Sequence, residues 1–157
     1  MDWEPLIRVG FAALLSLPIG LERELRGKPA GLRTHVVVAT ACAAFGYLSV
    51  ITAEGIAGAD RTRIASTVVT GVGFIGAGVT FAAGGKVHGL TTAAAIFSAA
   101  AVGLTVGMGH TELGAALVAV TVLFLWPVER LTSGWLAARR VDERIFHFVA
   151  RDIAVIA

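Results

Sequence analysis

One stretch of the sequence, residues 64–83, runs for twenty residues without an ionisable side chain. As a helix with a rise of ~1.5 Å per residue it spans about 30 Å, which is the thickness of the hydrocarbon core of a bilayer. Four of its residues, Gly71, Gly73, Gly76 and Gly78, are glycines. Each glycine destabilises a helix in water by roughly 1 kcal/mol. In lipid the backbone keeps its internal hydrogen bonds and glycine allows close helix contacts, so the stretch predicts a transmembrane helix.

The glycines of this stretch fall on two opposite faces when the residues are placed at helical spacing. Gly71 and Gly78 share one face, and Gly73 and Gly76 share the other. A helix with small residues on two faces is expected to pack between two neighbours, so we predict that it is the central helix of a bundle. The glycine spacing also matches a dinucleotide-binding motif. That motif requires a preceding strand and a helix that begins at the glycines, so a nucleotide site is disfavoured here.

The composition of the whole chain is typical of an integral membrane protein. Of its 157 residues, 56% are hydrophobic and 15% are charged, and the mean hydropathy is +0.80. The hydrophobic stretches predict an all-α, polytopic membrane bundle of about five transmembrane helices in residues 1–132. A short cytoplasmic tail, residues 133–157, follows, and the β-branched and aromatic residues at 144–151 predict one strand of a small α/β domain. The predicted spans are residues 3–21, 34–52, 64–83, 91–108 and 113–131.

The distribution of lysine and arginine predicts the orientation of the chain in the membrane. Ten of these residues lie on the side reached after the first, third and fifth spans, and two, Arg61 and Arg63, lie on the opposite side. Cytoplasmic loops carry the excess of positive charge, so we predict an outside amino terminus and a cytoplasmic carboxyl terminus. The net charge is only +2, which gives no support to a nucleic-acid partner.

The fourth span carries a stripe of small residues at four-residue spacing. Ala95, Ala99, Gly103 and Gly107 fall on one face of the predicted helix. Small residues allow the backbones of two membrane helices to approach closely. We predict that this stripe is a helix-contact face that packs on one of the glycine faces of the third span.

Polar side chains at the ends of the spans are the candidate functional residues. Glu22 and Arg23 follow a short first span that contains Pro18, and Arg33 and Thr34 begin the second span on the same side. Charge below the headgroups is costly, so these residues form either an ion-binding or sensing mouth or a salt-bridged hairpin that fixes two helices. The full candidate cluster consists of Glu22, Arg23, Arg26, Arg33, Thr34, Asp60, Arg63, Thr91 and Thr92.

Two further charged residues have structural interpretations. Asp60 precedes the third span and is expected to cap it, as aspartate does at many helix starts. Arg8 lies inside the first half of the first span, where it either extends to the near surface or turns inward to a carboxylate. Thr34 is the expected N-cap of the second span.

No enzymatic constellation occurs in the sequence, and we predict that the protein is not an enzyme and has no cofactor. A metal site needs several convergent ligands, whereas the four histidines, His35, His88, His110 and His147, lie at predicted loops or span ends. A solvated or capping role is usual at such positions. Magnesium prefers carboxylate oxygens, so an interaction with Mg²⁺ is left open without assigned ligands.

Five motifs, in the order in which they occur in the chain, resemble those of the MgtC/SapB membrane proteins. They are residues 20–24 (GLERE), 30–35 (AGLRTH), 60–65 (DRTRIA), 71–78 (GVGFIGAG) and 89–94 (GLTTAA). The resemblance covers roughly residues 3–125. The sequence departs from many relatives at Ser98, where they have a tryptophan, which leaves the virulence or housekeeping subtype open.

This resemblance implies a bacterial inner-membrane protein of magnesium homeostasis, stress response or survival inside host cells. It implies a homo-oligomer or another membrane protein, such as the F-type ATP synthase, as a partner within the bilayer, and an ACT-like domain after residue 144. Two functional hypotheses follow. The protein is either a non-enzymatic regulator that contacts other membrane proteins through its glycine faces or tail, or a conduit for Mg²⁺ or another cation.

Overall fold

The computed structural model describes residues 3–83 and 86–126 and shows an all-α chain with one short hairpin. The helices are α1 (Glu4–Leu25), α2 (Leu32–Ile51), α3 (Arg63–Val79), α4 (Leu90–Gly107) and α5 (Thr111–Leu125). The strands β1 (Phe81–Ala83) and β2 (Lys86–His88) pair antiparallel between α3 and α4. The all-α prediction is confirmed. The predictions for the tail fall outside the described residues.

Three of the helices, α1, α2 and α4, are long and apolar enough to cross a membrane. The other two, α3 with 17 residues and α5 with 15, are apolar but shorter. The predicted third span ended at Ala83, but α3 ends at Val79 because the chain leaves the helix at Thr80, which has extended backbone angles, and then forms β1. The count of five transmembrane spans therefore stays a prediction.

The start of α2 lies two residues earlier than the sequence indicated, and Thr34 is not its N-cap. Gly31 occupies that position, and the carboxylate of Glu24 accepts a hydrogen bond from the Leu32 backbone N–H at 2.7 Å. A helix start has unpaired N–H groups, and here a carboxylate from the end of α1 binds one of them. A Cβ atom on Gly31 would lie 2.6 Å from Glu24 Oε2, so glycine leaves room for this contact.

The end of α1 lies about one turn beyond its predicted boundary. The helix continues to Leu25, with Pro18 inside it, and turns at Gly27, whose φ is +59°. Glu22 and Arg23 are therefore helical residues and not loop residues. Both are buried.

The central helix of the described bundle is α4, which packs against α1, α2 and α3. Its small-residue stripe lies on α2: a Cβ atom on Gly103 would lie 2.1 Å from the Ala39 carbonyl oxygen, and one on Gly107 would lie 2.1 Å from that of Ala43. Ala99, one turn earlier, is fully buried. The stripe is thus a helix-contact face, but its neighbour is α2, not α3 as the sequence suggested.

The glycine-rich helix α3 contacts α4 and α2 through one side, and the prediction that it is the central helix, packed through two glycine faces, is wrong for this single chain. Ala65 and Val72 form its buried side. A Cβ atom placed on Gly71, Gly73 or Gly78 would have no atom of another described helix within 4 Å. Gly76 has one contact, with the Ala93 side chain at 3.6 Å. Glycine permits a second helix to approach closely but does not determine which helix does so. On α4 the small residues face the small residues of α2, whereas three of the glycines on α3 face no helix of the described chain.

Contacts between helix ends show that α1 to α4 alternate in direction. Arg8 near the start of α1 meets Gly107 at the end of α4, and Ser49 near the end of α2 bonds the first turn of α3 through the Ala65 N–H at 3.3 Å. We call this side of the bundle the Arg8 end. Arg23 meets Thr92 on the opposite side, which we call the Glu22 end.

Candidate functional site

Four buried polar side chains come together at the Glu22 end on three different helices. Glu22 and Arg23 belong to α1, His35 to α2 and Thr92 to α4, and their exposed fractions are 8%, 2%, 0% and 4%. We call these four residues the buried polar cluster. Charged groups are rarely buried to this degree unless they are paired, so their contacts determine what the cluster does.

Arg23 links α1 to α4 across the bundle. Its Nη2 donates a hydrogen bond to Thr92 Oγ1 at 3.1 Å, and its Nη1 lies 3.9 Å from Glu22 Oε2. The adjacent position in sequence prevents a closer pairing of Arg23 with Glu22, because consecutive helix residues point about 100° apart. Arg26, one turn further along α1, places its Nε 2.8 Å from Glu22 Oε1.

The carboxylate of Glu22 is short of hydrogen-bond donors. Among the described residues, neither of its oxygens accepts a hydrogen bond, although both lie near guanidinium groups. The Arg26 contact is close in distance but does not have the alignment of a hydrogen bond. A buried carboxylate normally accepts several hydrogen bonds, so Glu22 retains capacity for at least one more donor.

His35 is a site residue that the sequence analysis assigned to a solvated or capping role. It is fully buried because Gly20 of α1 lets α2 approach: a Cβ atom there would lie 2.8 Å from Leu32 Cα and 3.3 Å from His35 Cβ. The sequence does contain a signal for this burial. Counting from residue 35 in steps of three or four gives only small residues, namely Ala39, Cys42, Gly46 and Ser49, so the histidine begins the inward face of α2.

The hydrogen bonds of His35 fix its tautomer. Nδ1 lies 2.8 Å from the Gly31 carbonyl oxygen, and a carbonyl can only accept, so Nδ1 carries the hydrogen. The other ring nitrogen, Nε2, is then an acceptor when the ring is neutral. No hydrogen-bond partner for Nε2 occurs among residues 3–83 and 86–126.

The structure brings only part of the predicted cluster together. Glu22, Arg23, Arg26 and Thr92 meet at the Glu22 end. Arg33, Thr34 and Thr91 belong to the first turns of α2 and α4 but are exposed. The two remaining candidates, Asp60 and Arg63, lie at the Arg8 end, where α3 begins, so they belong to a separate region.

Asp60 precedes α3 and forms a local turn. Its Oδ1 accepts hydrogen bonds from the backbone N–H and the hydroxyl of Thr62, at 2.8 Å and 2.6 Å. Thr62, not Asp60, is the N-cap residue of α3. The hydroxyl and the N–H of Thr62 stabilise the ionised carboxylate and lower the pKa of Asp60 from its usual value.

Arg8 fastens the opposite end of the bundle. Its Nη1 donates a hydrogen bond to the Gly107 carbonyl oxygen at 2.6 Å, its Nη2 pairs with Glu4, and its guanidinium lies 5.4 Å from the centre of the Tyr47 ring. The last carbonyls of a helix are unpaired and carry partial negative charge, so a cation is favourable there. Arg8 thus contacts both the end of α4 and an exposed carboxylate, Glu4, at the start of its own helix, which combines the two predicted alternatives.

The buried polar cluster does not have the ligand set of a magnesium site. Among the described residues, no group of three or more histidine, cysteine, aspartate or glutamate side chains comes together. The single carboxylate, Glu22, already has two guanidinium groups beside it, which repel a divalent cation. Mg²⁺ needs near-octahedral oxygen coordination and is usually bound by one or two carboxylates that remain available to it.

A model of the MgtC family matches residues 9–133. The chain belongs to the MgtC family. This membership, together with the apolar helices, identifies a membrane protein. The matched MgtC region contains all four residues of the buried polar cluster. No solved structure matches the chain.

Three relatives of this MgtC-family chain are informative. It is 44% identical over 138 residues to "Putative magnesium transporter YhiD" of Escherichia coli K12, which covers 84% of the chain and 64% of the relative. It is 38% identical over 155 residues to "Protein SapB" of Bacillus subtilis 168, with 92% and 67% covered. It is 41% identical over 113 residues to "Protein MgtC" of Brucella abortus, with 69% and 46% covered. The chain therefore spans about half to two thirds of the length of these relatives.

Proposed function

We propose that the protein is a bacterial inner-membrane component of magnesium homeostasis that acts as a non-enzymatic regulator through contacts with other membrane proteins. In this proposal the Glu22 end faces the cytoplasm, as the charge bias of the loops predicts. The relatives named for MgtC, SapB and a magnesium transporter support the connection with magnesium. Stress and survival inside host cells remain part of the proposal.

The observation that carries the choice of regulator over conduit is the close packing of α2 on the half of α4 that lies towards the Arg8 end. The backbones of α2 and α4 touch at Gly103 and Gly107, with no room even for a methyl group. Helix α4 contains no charged residue or histidine, and those of α1 and α2 lie toward the ends of these helices. A pathway for a cation needs polar groups near the midplane, and intramembrane ionisable residues usually mark one.

The outer surface of α3 is the proposed contact site. The exposed large apolar side chains of α1 are leucine, isoleucine and phenylalanine, as expected for contact with lipid chains. By contrast, most exposed residues of α3 are small, and three are large apolar ones, Val69, Phe74 and Ile75. The small ones are Ser66, Thr67, Thr70, Gly71, Gly73, Ala77 and Gly78. Small residues of this kind favour helix–helix contacts, so a second copy of the chain or another membrane protein, such as the F-type ATP synthase, is the proposed partner.

The conduit hypothesis has one specific observation in its favour. Buried charge at a helix end is costly, and the Glu22 carboxylate retains free acceptor capacity. The name of the E. coli relative also denotes a transporter. For the purified protein alone, the conduit hypothesis predicts Mg²⁺ flux across a bilayer, whereas the regulator hypothesis predicts none.

Magnesium flux into proteoliposomes that contain an Mg²⁺-sensitive dye separates the two hypotheses. A regulator gives the same flux as protein-free liposomes, for the wild type and for Glu22→Gln. A conduit gives a flux that Glu22→Gln abolishes and that the matched control Glu112→Gln, at an exposed carboxylate on α5, leaves unchanged. Such a flux would refute the regulator proposal.

Cross-linking in native membranes tests the contact surface. We expect Gly71→Leu and Gly78→Leu to reduce the yield of the cross-linked partner severalfold, because a large side chain keeps the facing helix away. Gly10→Leu is the matched control, since Gly10 is also exposed with no described atom within 4 Å, but lies on α1. Equal losses from all three variants, or none, would exclude α3 as the contact surface.

A further inference from the structure

An apolar groove with a volume of about 220 Å³ lies between α3 and α4, and we call it the α3–α4 groove. Its lining includes Val69, Val72, Phe97, Ala101, Leu104 and Thr105. Val69 and Phe97 are 44% and 46% exposed, so the groove opens to the surroundings of the bundle. The Thr105 hydroxyl is hydrogen-bonded to the Ala101 carbonyl oxygen of its own helix at 2.9 Å. The groove therefore offers its occupant hydrocarbon contacts only.

The shape of the α3–α4 groove limits what can fill it. Along α4 the lining extends from Phe97 to Thr105, which is ~12 Å at the helical rise. A helix with its side chains is about 10–12 Å wide, so it cannot enter a groove of this volume. One side chain from a partner helix would occupy only part of the length. A long, narrow, apolar chain fits the groove, and the acyl chain of a phospholipid has this shape.

The groove also lies at the depth of acyl chains in one leaflet of the bilayer. Helix α3 begins at Arg63 at the Arg8 end, and Val69 follows at ~9 Å along the helix. Thr105 belongs to the last turn of α4, at the same end. Half of the hydrocarbon core of a bilayer is about 15 Å thick. The groove thus extends from below the surface at the Arg8 end towards the midplane, like the acyl chains of that leaflet.

Two exposed arginines lie above the groove, where a phospholipid of this leaflet has its phosphate. Arg63 begins α3, and Arg61 precedes it in a segment that α2 holds, because the Ser49 hydroxyl donates a hydrogen bond to the Arg61 carbonyl oxygen at 2.6 Å. The neighbouring carboxylate, Asp60, accepts its hydrogen bonds from Thr62. Guanidinium groups bind phosphate oxygens through paired hydrogen bonds.

We propose that the α3–α4 groove binds one acyl chain of a phospholipid whose phosphate lies against Arg61 and Arg63. The chain contacts α3 and α4 together and so adds dispersion contacts to the buried side of α3, which Ala65 and Val72 form. The bound lipid would therefore hold α3 on the bundle. This inference goes beyond the proposed function and depends on neither its partner nor its orientation in the membrane.

Native mass spectrometry of the full chain, purified in mild detergent with added phosphatidylglycerol or phosphatidylethanolamine, tests the acyl-chain site. We expect the wild type to retain one phospholipid per chain. Ala101→Phe places a ring in the groove and should reduce the retained fraction about tenfold, because the acyl chain loses its apolar contacts. Ala94→Phe is the matched control, since Ala94 is an exposed alanine of the same helix outside the groove lining, and it should retain lipid like the wild type.

A second variant tests the phosphate contact and does not depend on the folding of Ala101→Phe. The double substitution Arg61→Gln and Arg63→Gln changes two exposed side chains. We expect it to reduce the retention of phospholipid severalfold and to leave unchanged that of diacylglycerol, which has the same chains without a phosphate. Arg33→Gln, an exposed arginine at the Glu22 end, is the matched control and should have no effect on either lipid.

Three results would overturn the proposal. The first is that the wild type retains no more phospholipid than Ala101→Phe, or that Ala94→Phe loses as much. The second is that the double arginine variant retains phospholipid like the wild type, or loses both lipids alike. The third is that Ala101→Phe dissociates a dimer but keeps its phospholipid, in which case a side chain of a second copy occupies the groove.

Discussion

Gly103→Ala is the substitution that most directly tests how the bundle is held together. The added methyl group would lie 2.1 Å from the Ala39 carbonyl oxygen and 2.9 Å from both Ala39 C and Cα. Ordinary van der Waals contact begins at 3.4 Å, so α2 and α4 must separate by about 1.3 Å along this direction. The atoms on both sides belong to backbone, so no rotamer change relieves the contact. A gap of 0.5–1 Å already loses roughly a quarter to a half of each dispersion contact.

The expected cost follows from two opposing effects. Overpacking of a close-packed interior costs about 1–3 kcal/mol, and the rigid surroundings of Gly103 place it at the upper end of that range. Alanine has a higher helix propensity than glycine by roughly 1 kcal/mol, which offsets part of this cost. We therefore expect Gly103→Ala to lower the free energy of unfolding by about 2 kcal/mol. Gly71→Ala has the same propensity gain without the clash, and we expect it to be neutral or stabilising by up to about 1 kcal/mol.

Equilibrium unfolding in mixed micelles with increasing sodium dodecyl sulfate, followed by circular dichroism, measures both variants on one scale. The comparison between them matters more than either value, because the substitution is chemically identical and only the surroundings differ. If the two variants change the free energy of unfolding by the same amount, within about 0.5 kcal/mol, then α4 is not the central helix. A larger cost for Gly71→Ala than for Gly103→Ala would restore α3 to the centre of the bundle.

Two further substitutions test the polar contacts at the two ends. Thr92→Val removes an acceptor from the buried Arg23 and is expected to cost about 1.5–3 kcal/mol of unfolding free energy, whereas Thr91→Val, at an exposed site, should cost almost nothing. Equal effects of the two valine variants would contradict the Arg23 contact. Asp60 has a lowered pKa in the folded state, so its stabilising contribution is present above its usual value of 3.8 and is lost as the pH falls below it. In Asp60→Asn, the melting temperature should therefore fall less at low pH than it does in the wild type. An unchanged pH profile of the melting temperature would refute the stabilising role of the Asp60 carboxylate.

The fold class and the approximate helix positions follow from the sequence because long apolar stretches have few alternatives in lipid. The predicted ends of the helices differ from the observed ends by up to about one turn. At Leu25 and Leu32, contacts between α1 and α2 decide where the helices stop and start, through the Glu24 carboxylate at the first turn of α2. Such a contact joins residues eight positions apart and has no periodic signal. The same reason applies to Thr34, which has the side chain of an N-cap but lies inside the helix.

The error about α3 has a physical cause that applies to many membrane proteins. Small residues lower the cost of helix contact without specifying a partner, so a stripe identifies a surface and not its neighbour. The pairing of α2 with α4 becomes predictable only when both surfaces are compared, since Ala39 and Ala43 on α2 repeat at the same four-residue spacing as Gly103 and Gly107 on α4. On α3, Gly71, Gly73 and Gly78 have no described neighbour, which is why they remain a proposed surface for a partner.

The same comparison explains why His35 was missed as a site residue while Glu22 and Arg23 were found. A charged residue beside an apolar span indicates a polar site by itself because charge in lipid is costly, whereas a histidine at a span end is usually solvated. Burial of His35 depends on Gly20, fifteen positions earlier, whose missing side chain admits the first turn of α2. A glycine on one helix and a polar residue on the next are independent in sequence and become one feature only after the helices pack.

Helices α1, α2 and α4 are joined to one another by contacts at several places, whereas α3 is held along one side. Arg23 joins α1 to α4 at the Glu22 end, Arg8 joins the same two helices at the Arg8 end, and the backbone contact at Gly103 joins α4 to α2 between them. Helix α3 has one buried side, held through Ala65 and Val72. Helices fastened at both ends resist relative movement, whereas a helix packed on one side is free to exchange lipid for a protein neighbour. A regulator that acts by contact needs such a helix, and in the described chain α3 meets that requirement better than α1, α2 or α4.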